Sequence, residues 1–119
     1  MKNPKTGFAR VVAAGGYSWA GLKACFKTEA AFREELIACV FLMPLAFWLG
    51  ENGIEQALMI GSLLLVLIVE LCNTAVEAVV DRIGHDYHEL SGKAKDVGSG
   101  AVLISICNAI IIWLLVVFN

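Results

Sequence analysis

The chain of 119 residues is 59% hydrophobic, well above the roughly 45–50% apolar content of soluble domains, which argues for a lipid-facing protein of one domain, residues 1–119. Nine Lys and Arg against eleven Asp and Glu leave a net charge of −2, so nothing in the charge balance suggests nucleic-acid binding. The four cysteines, Cys25, Cys39, Cys72 and Cys107, lack CxxC spacing and three lie in apolar stretches, so neither a disulfide framework nor a zinc site is expected.

Phe8, Val11, Val12, Gly15, Trp19, Leu22 and Phe26 recur at helical spacing, with Lys5, Arg10, Lys23 and Lys27 largely off that stripe. The pattern predicts an amphipathic surface helix over about residues 6–27, lying in the membrane interface. The alternative is a helix packed on the protein's own core. This segment lacks the 7–15-residue apolar core of a cleavable signal peptide, so the first hydrophobic span is expected to direct insertion.

The apolar run Leu36 to Leu49, with Pro44 inside it, predicts a first span over about residues 30–49, kinked at the proline or accommodated by its neighbours. Gly50, Asn52 and Gly53 mark a tight connection. A second run from Ala57 to Val69 is short alone, but its helical pattern continues through Glu70, Asn73, Glu77 and Val80, predicting a span over about 56–83. From Val97 the chain is uncharged to Asn119, which predicts a third span over about 95–118. The fold class is therefore an all-α membrane protein with three transmembrane helices and an N-terminal amphipathic surface helix.

Lys2, Lys5, Arg10, Lys23, Lys27 and Arg33 precede the first apolar run, Arg82, Lys93 and Lys95 follow the second, and the first connection and C-terminus carry none. This asymmetry places the N-terminus and the second loop in the cytoplasm and the C-terminus outside.

Glu70, Asn73, Glu77 and Asp81 stand at i, i+3, i+7 and i+11, one stripe descending the second span toward its cytoplasmic end. An ionisable group in a span costs about 2.5–3.5 kcal/mol on insertion scales, so two carboxylates in one helix point to a function or to shielding by other subunits. Three helices shield such a stripe poorly, and a homo-oligomer is expected. Interhelical hydrogen bonding explains one such residue, less readily a series of them. The loop GHDYHELSGKAKDVGSG, Gly84 to Gly100, leads into the last helix, with Lys95 and Asp96 near its expected start, where free N–H groups and the helix dipole favour anions. No P-loop, GxGxxG turn, kinase catalytic-loop signature or HExxH motif is present.

The run ELCNTAVEAVVDRIGHDYHELSGKAKDVGSGAV, Glu70 to Val102, closely resembles the signature of the small bacterial integral-membrane diacylglycerol kinases. GYSWAGLK near the N-terminus and EAAFREE at Glu29 to Glu35 resemble that family in the same order, so the likeness covers essentially the whole chain. It implies a homotrimer of three-span subunits in the bacterial inner membrane, with composite sites at the membrane-cytoplasm boundary. It also implies the reaction: ATP and 1,2-diacylglycerol give ADP and phosphatidic acid, with Mg2+.

Carried over by position, the resemblance implies Glu70 as general base with Asn73 as its polar catalytic neighbour, and Glu29 and Glu77 as metal-binding carboxylates that also belong to the ATP site. Arg10, Tyr17, Asp86, His88, Lys95 and Asp96 match other ATP positions. Arg10, Ser18, Trp19, Arg33, Glu35, Glu70 and Ser99 match positions lining the lipid site. Phosphoryl transfer needs cations on the phosphates and a base beside the attacking hydroxyl, which such a set supplies. Asp86 and His85 depart from the motif, where glutamate and a small polar residue are usual, and bear on the adenosine end of the site. Rival readings are the same transfer to undecaprenol, and a non-catalytic proton or ion pathway through Glu70 and Glu77.

Overall fold

The structure, a computed structural model, describes residues 6–119. Lys2 and Lys5, counted above for topology, lie outside the described residues. Four α-helices follow one another: α1 (Gly7–Thr28), α2 (Ala30–Leu49), α3 (Gly53–Ile83) and α4 (Glu89–Val117). Two of them, α3 and α4, are long and apolar enough to cross a bilayer.

In α1 the apolar stripe finds no protein to cover it. Phe8, Val11, Val12 and Trp19 are exposed, and Cys25 alone among the described residues of this helix is buried. The helix is not packed along its length on a core of its own subunit. Its C-terminal end docks where the Cys25 thiol faces Thr74 Oγ1 of α3 at 3.6 Å.

A single residue, Glu29, separates α1 from α2. Its extended backbone, φ −112° and ψ 106°, breaks the helix, while its N–H still donates to Cys25 O at 2.9 Å. The corner is held by Arg33, whose guanidinium donates to the carbonyls of Phe26 at 2.7 Å and Lys27 at 3.4 Å and lies over the Phe26 ring. These are carbonyls that the end of α1 leaves unpaired, and a cation suits that end of the helix dipole. Pro44 is accommodated inside a continuous α2.

At the α2–α3 turn, Gln56 Nε2 donates to Phe47 O and Gly50 O at 3.1 and 3.2 Å. Gly50 is required by that approach, because a Cβ there would stand 2.7 Å from Gln56 Cγ and 3.0 Å from Ala46 O. Helix α3 starts at Gly53, three residues before the expected 56, since Asn52 Oδ1 caps it by accepting from Glu55 N–H at 3.0 Å.

The main packing is the antiparallel pair α3 and α4, with α2 laid against α3. Met59, fully buried, offers its carbonyl to both Ser62 Oγ at 2.7 Å and Trp113 Nε1 at 3.2 Å, tying α4 to α3. Cys39 Sγ similarly donates to Leu63 O at 3.8 Å from α2. Small residues of α4, among them Gly98, Ser105 and Ala109, face α3 and let the backbones approach. The overall extents of 48 × 42 × 21 Å describe a plate about two helices thick.

Candidate active site

The stripe on α3 is the spine of the site, and each of its members meets a different neighbour. Glu70, only 6% exposed, faces Glu35 of α2. Oε2 of each is buried with no donor among the described residues. Each of these oxygens is left open to a hydroxyl or another donor, which an ionised carboxylate accepts from and cannot itself supply.

One turn nearer the loop, Asn73 points at Gly98 of α4, and its Oδ1 is likewise buried without a partner. Two turns below Glu70, Glu77 lies within electrostatic reach of Lys95. Asp81 completes the series with an ion pair to Lys95 Nζ at 2.8 Å. Both partners are about half exposed, so the pair is screened by water and open to exchange with a stronger anion.

Lys95 and Asp96 do not stand at the start of α4. The helix begins at Glu89, six residues earlier than the expected 95, because His88 Nδ1 accepts the Leu90 N–H at 3.0 Å and Glu89 places a negative charge in the first turn. Lys95 thus acts through its side chain, aimed across at Asp81, and its backbone N–H is already engaged inside the helix. His88, assigned above to the nucleotide, is in this structure the cap of α4. Val80, Asp81, Asp86, His88 and Lys95 line a cavity of about 320 Å³ at this end of the helix pair.

The other predicted residues surround the stripe without closing on it. Arg10, Tyr17, Ser18 and Trp19 are exposed along α1, and Ser99 and Asp96 are exposed on α4. Trp19 lines an apolar groove of about 470 Å³ with Phe26, Phe32, Leu36, Leu67 and Leu71. Arg33 is committed to the α1 carbonyls, which makes it a corner clamp whatever else it touches. Glu29, at that corner, makes no capping bond with its side chain.

Among the described residues no three His, Cys, Asp or Glu side chains cluster as a metal site. Glu29 and Glu77 supply hard carboxylate oxygens, which suits Mg2+ bound chiefly through nucleotide phosphates and water. The donor chemistry therefore fits that ion.

Sequence reasoning left Asp81 without a role and missed Gly98 altogether. The stripe spacing marked Asp81, but its partner Lys95 is fourteen positions away on another helix, and nothing in the sequence pairs them.

The family model for prokaryotic diacylglycerol kinase matches residues 16–117 of the chain. The chain belongs to the prokaryotic diacylglycerol kinase family. It is 52% identical to the diacylglycerol kinase of Escherichia coli (strain K12) over 119 residues, covering 100% of this chain and 98% of the relative. With the diacylglycerol kinase of Haemophilus influenzae identity is 53% over 108 residues, covering 91% and 92%. The Pseudomonas aeruginosa diacylglycerol kinase is 47% identical over 109 residues, covering 92% and 89%. Within this prokaryotic diacylglycerol kinase family member, the carboxylate stripe and the loop after it both lie inside the matched residues.

Proposed function

We propose that this chain is an ATP-dependent diacylglycerol kinase that converts 1,2-diacylglycerol to phosphatidic acid at the membrane-cytoplasm boundary. The observation that carries the reading is the buried Glu70, facing Glu35, at the head of a stripe whose lower end, Glu77 and Asp81, meets Lys95. A lipid alcohol needs a proton acceptor at membrane depth, and a nucleotide needs cations and metal ligands near water. One helix face provides both in sequence, Glu70 standing about 10 Å from Glu77 at 1.5 Å per residue.

In the reaction the diacylglycerol hydroxyl gives its proton to Glu70 as its oxygen bonds to the γ-phosphorus, and the bond from that phosphorus to the β–γ bridging oxygen breaks to release ADP. Glu35, facing Glu70 from α2, lines the lipid site beside it. Asn73 organises the carboxylates on either side of it. Lys95 leaves Asp81 for the triphosphate, with Arg10, Tyr17, Asp86, His88 and Asp96 around the nucleotide. Glu29 and Glu77 would hold Mg2+, which supplies charge neutralisation on the phosphates. Ser18, Trp19 and Ser99 line the lipid's approach, and Arg33 keeps the corner beside it.

Three spans, α2, α3 and α4, cross the inner membrane, with the N-terminus and the α3–α4 loop cytoplasmic and the C-terminus external. Exposed Phe41 and Trp48 on α2 and Leu103, Ile104 and Leu115 on α4 support burial in lipid or against other subunits. Three copies assemble, as the family resemblance implies, and neighbouring subunits cover the site residues that one subunit leaves exposed on α1 and α4.

Purified protein given labelled ATP and Mg2+ should phosphorylate diacylglycerol in mixed micelles far faster than undecaprenol. Transfer to undecaprenol alone would overturn the acceptor, and no transfer to either lipid would overturn the kinase reading.

A further inference from the structure

Gly98 is a glycine inside a helix, where it costs about 1 kcal/mol relative to alanine, and its backbone is not in the left-handed region. Conformation does not explain it. Space does: a Cβ at this position would overlap Asn73 Oδ1 and stand 3.2 Å from Asn73 Cγ. Two residues further along the same helix, a Cβ on Gly100 would meet nothing within 4 Å, and one on Gly92 would make only ordinary contact with Tyr87. The demand for a missing side chain is thus specific to the place where α4 passes Asn73.

What occupies that space is not bonded there. Asn73 Oδ1 is buried and has no donor among the described residues, whereas a carboxamide kept only to join α3 to α4 would bond its oxygen to one. Asn73 also lies three residues after Glu70 and four before Glu77 on the same face of α3, the spacing at which helical side chains neighbour one another. A new methyl group would meet Oδ1, Cγ and Cβ of Asn73 alike, so the carboxamide would have to turn from its present place to admit it.

We propose that Gly98 is a positioning residue for phosphoryl transfer, its bare backbone forming the seat that holds the Asn73 carboxamide between Glu70 and Glu77. The proposal rests on the assignment of Asn73 to the active site. Gly98 touches no substrate and acts through Asn73 alone.

The test compares Gly98→Ala, Asn73→Ser, the double variant and Gly100→Ala as purified full-length protein, reading kcat, KM for ATP and the midpoint of denaturant unfolding. Gly98→Ala should lower kcat by about 10²-fold, the scale of an ångström-sized misplacement, with KM for ATP little changed. Gly100→Ala should stay near wild type. Added to Asn73→Ser, the Gly98→Ala change should cost no further activity, and the drop in unfolding midpoint that it causes in the wild-type background should largely disappear, because the shorter side chain makes room. An unchanged kcat for Gly98→Ala, or the same proportional loss in both backgrounds, overturns the positioning role. If Asn73→Ser is itself as active as wild type, the assignment of Asn73 fails first. If Asn73→Ser is too slow to compare, the unfolding cycle decides, and independent effects at 73 and 98 overturn the proposal.

Discussion

Glu70 and Glu77 share one helix face and one chemistry of side chain, yet their neighbours differ: Glu70 is buried against a second carboxyl group, while Glu77 looks toward Lys95 near the loop. Their loss should therefore be distinguishable. Glu70→Gln keeps the shape and removes the proton acceptor, so turnover should fall by at least about 10²-fold while binding of a Mg2+-nucleotide, measured by equilibrium dialysis, is largely kept. Glu77→Gln should weaken that binding as well as turnover. Equal loss of nucleotide affinity in both variants would contradict the division of roles. Arg33 makes a third case at this scale, since its two bonds go to backbone carbonyls and not to another side chain. Arg33→Ala should destabilise the folded protein by about 1.5–3 kcal/mol, the range for hydrogen bonds to a charged group, and expose the peptide bonds around Glu29 to protease. Unaltered cleavage there would show that the corner holds without the clamp.

At the scale of elements, the helix boundaries follow side-chain caps more closely than they follow hydropathy. Asn52 extends α3 upward to Gly53, and His88 extends α4 back to Glu89, through polar stretches that an apolar pattern does not mark. The cap at His88 uses Nδ1 as an acceptor, a role that asparagine can fill and alanine cannot. His88→Ala should fray the first turns of α4, with faster amide exchange over residues 89–92 and a loss of about 0.5–2 kcal/mol, and His88→Asn should restore most of the protection. If both variants lower ATP affinity alike while protection is unchanged, the histidine serves the nucleotide and not the helix. The extension also bears on function, because it sets Lys95 on a formed helix opposite Asp81.

For the whole molecule, the question is what covers the surfaces that one subunit leaves open. Exposed apolar side chains run along α1, α2 and α4, and residues assigned to lipid and to nucleotide are exposed on both α1 and α4. Composite sites should allow complementation. Glu70→Gln and Lys95→Leu chains, each inactive alone, should regain part of the activity when unfolded together and reassembled, since some interfaces then join an intact Glu70 to an intact Lys95. Mixed oligomers proven by tag pull-down and still inactive would place both residues in one subunit's site. Topology is tested separately, in a background lacking the four cysteines. Asn52→Cys should react with an impermeant thiol reagent from outside the cell and Gly92→Cys only from inside. External labelling at position 92 would reverse the orientation and with it the access of ATP.

What the sequence determined by itself is what depends on neighbours a few residues apart. Helical periodicity and apolar runs predicted an all-helical chain with long apolar α3 and α4, the spacing of Glu70, Asn73, Glu77 and Asp81 put them on one face, and the run from Glu70 to Val102 carried the family likeness. The pairing of Glu35 with Glu70, of Asp81 with Lys95, and of Asn73 with the bare backbone of Gly98 were decided only by tertiary structure. So was the diversion of Arg33 to the carbonyls of α1, which depends on the angle at a one-residue corner. The physical reason is that such contacts depend on how helices cross and how far each is rotated about its axis. Those quantities come from the packing of whole side-chain surfaces, and a local pattern along the chain does not carry them.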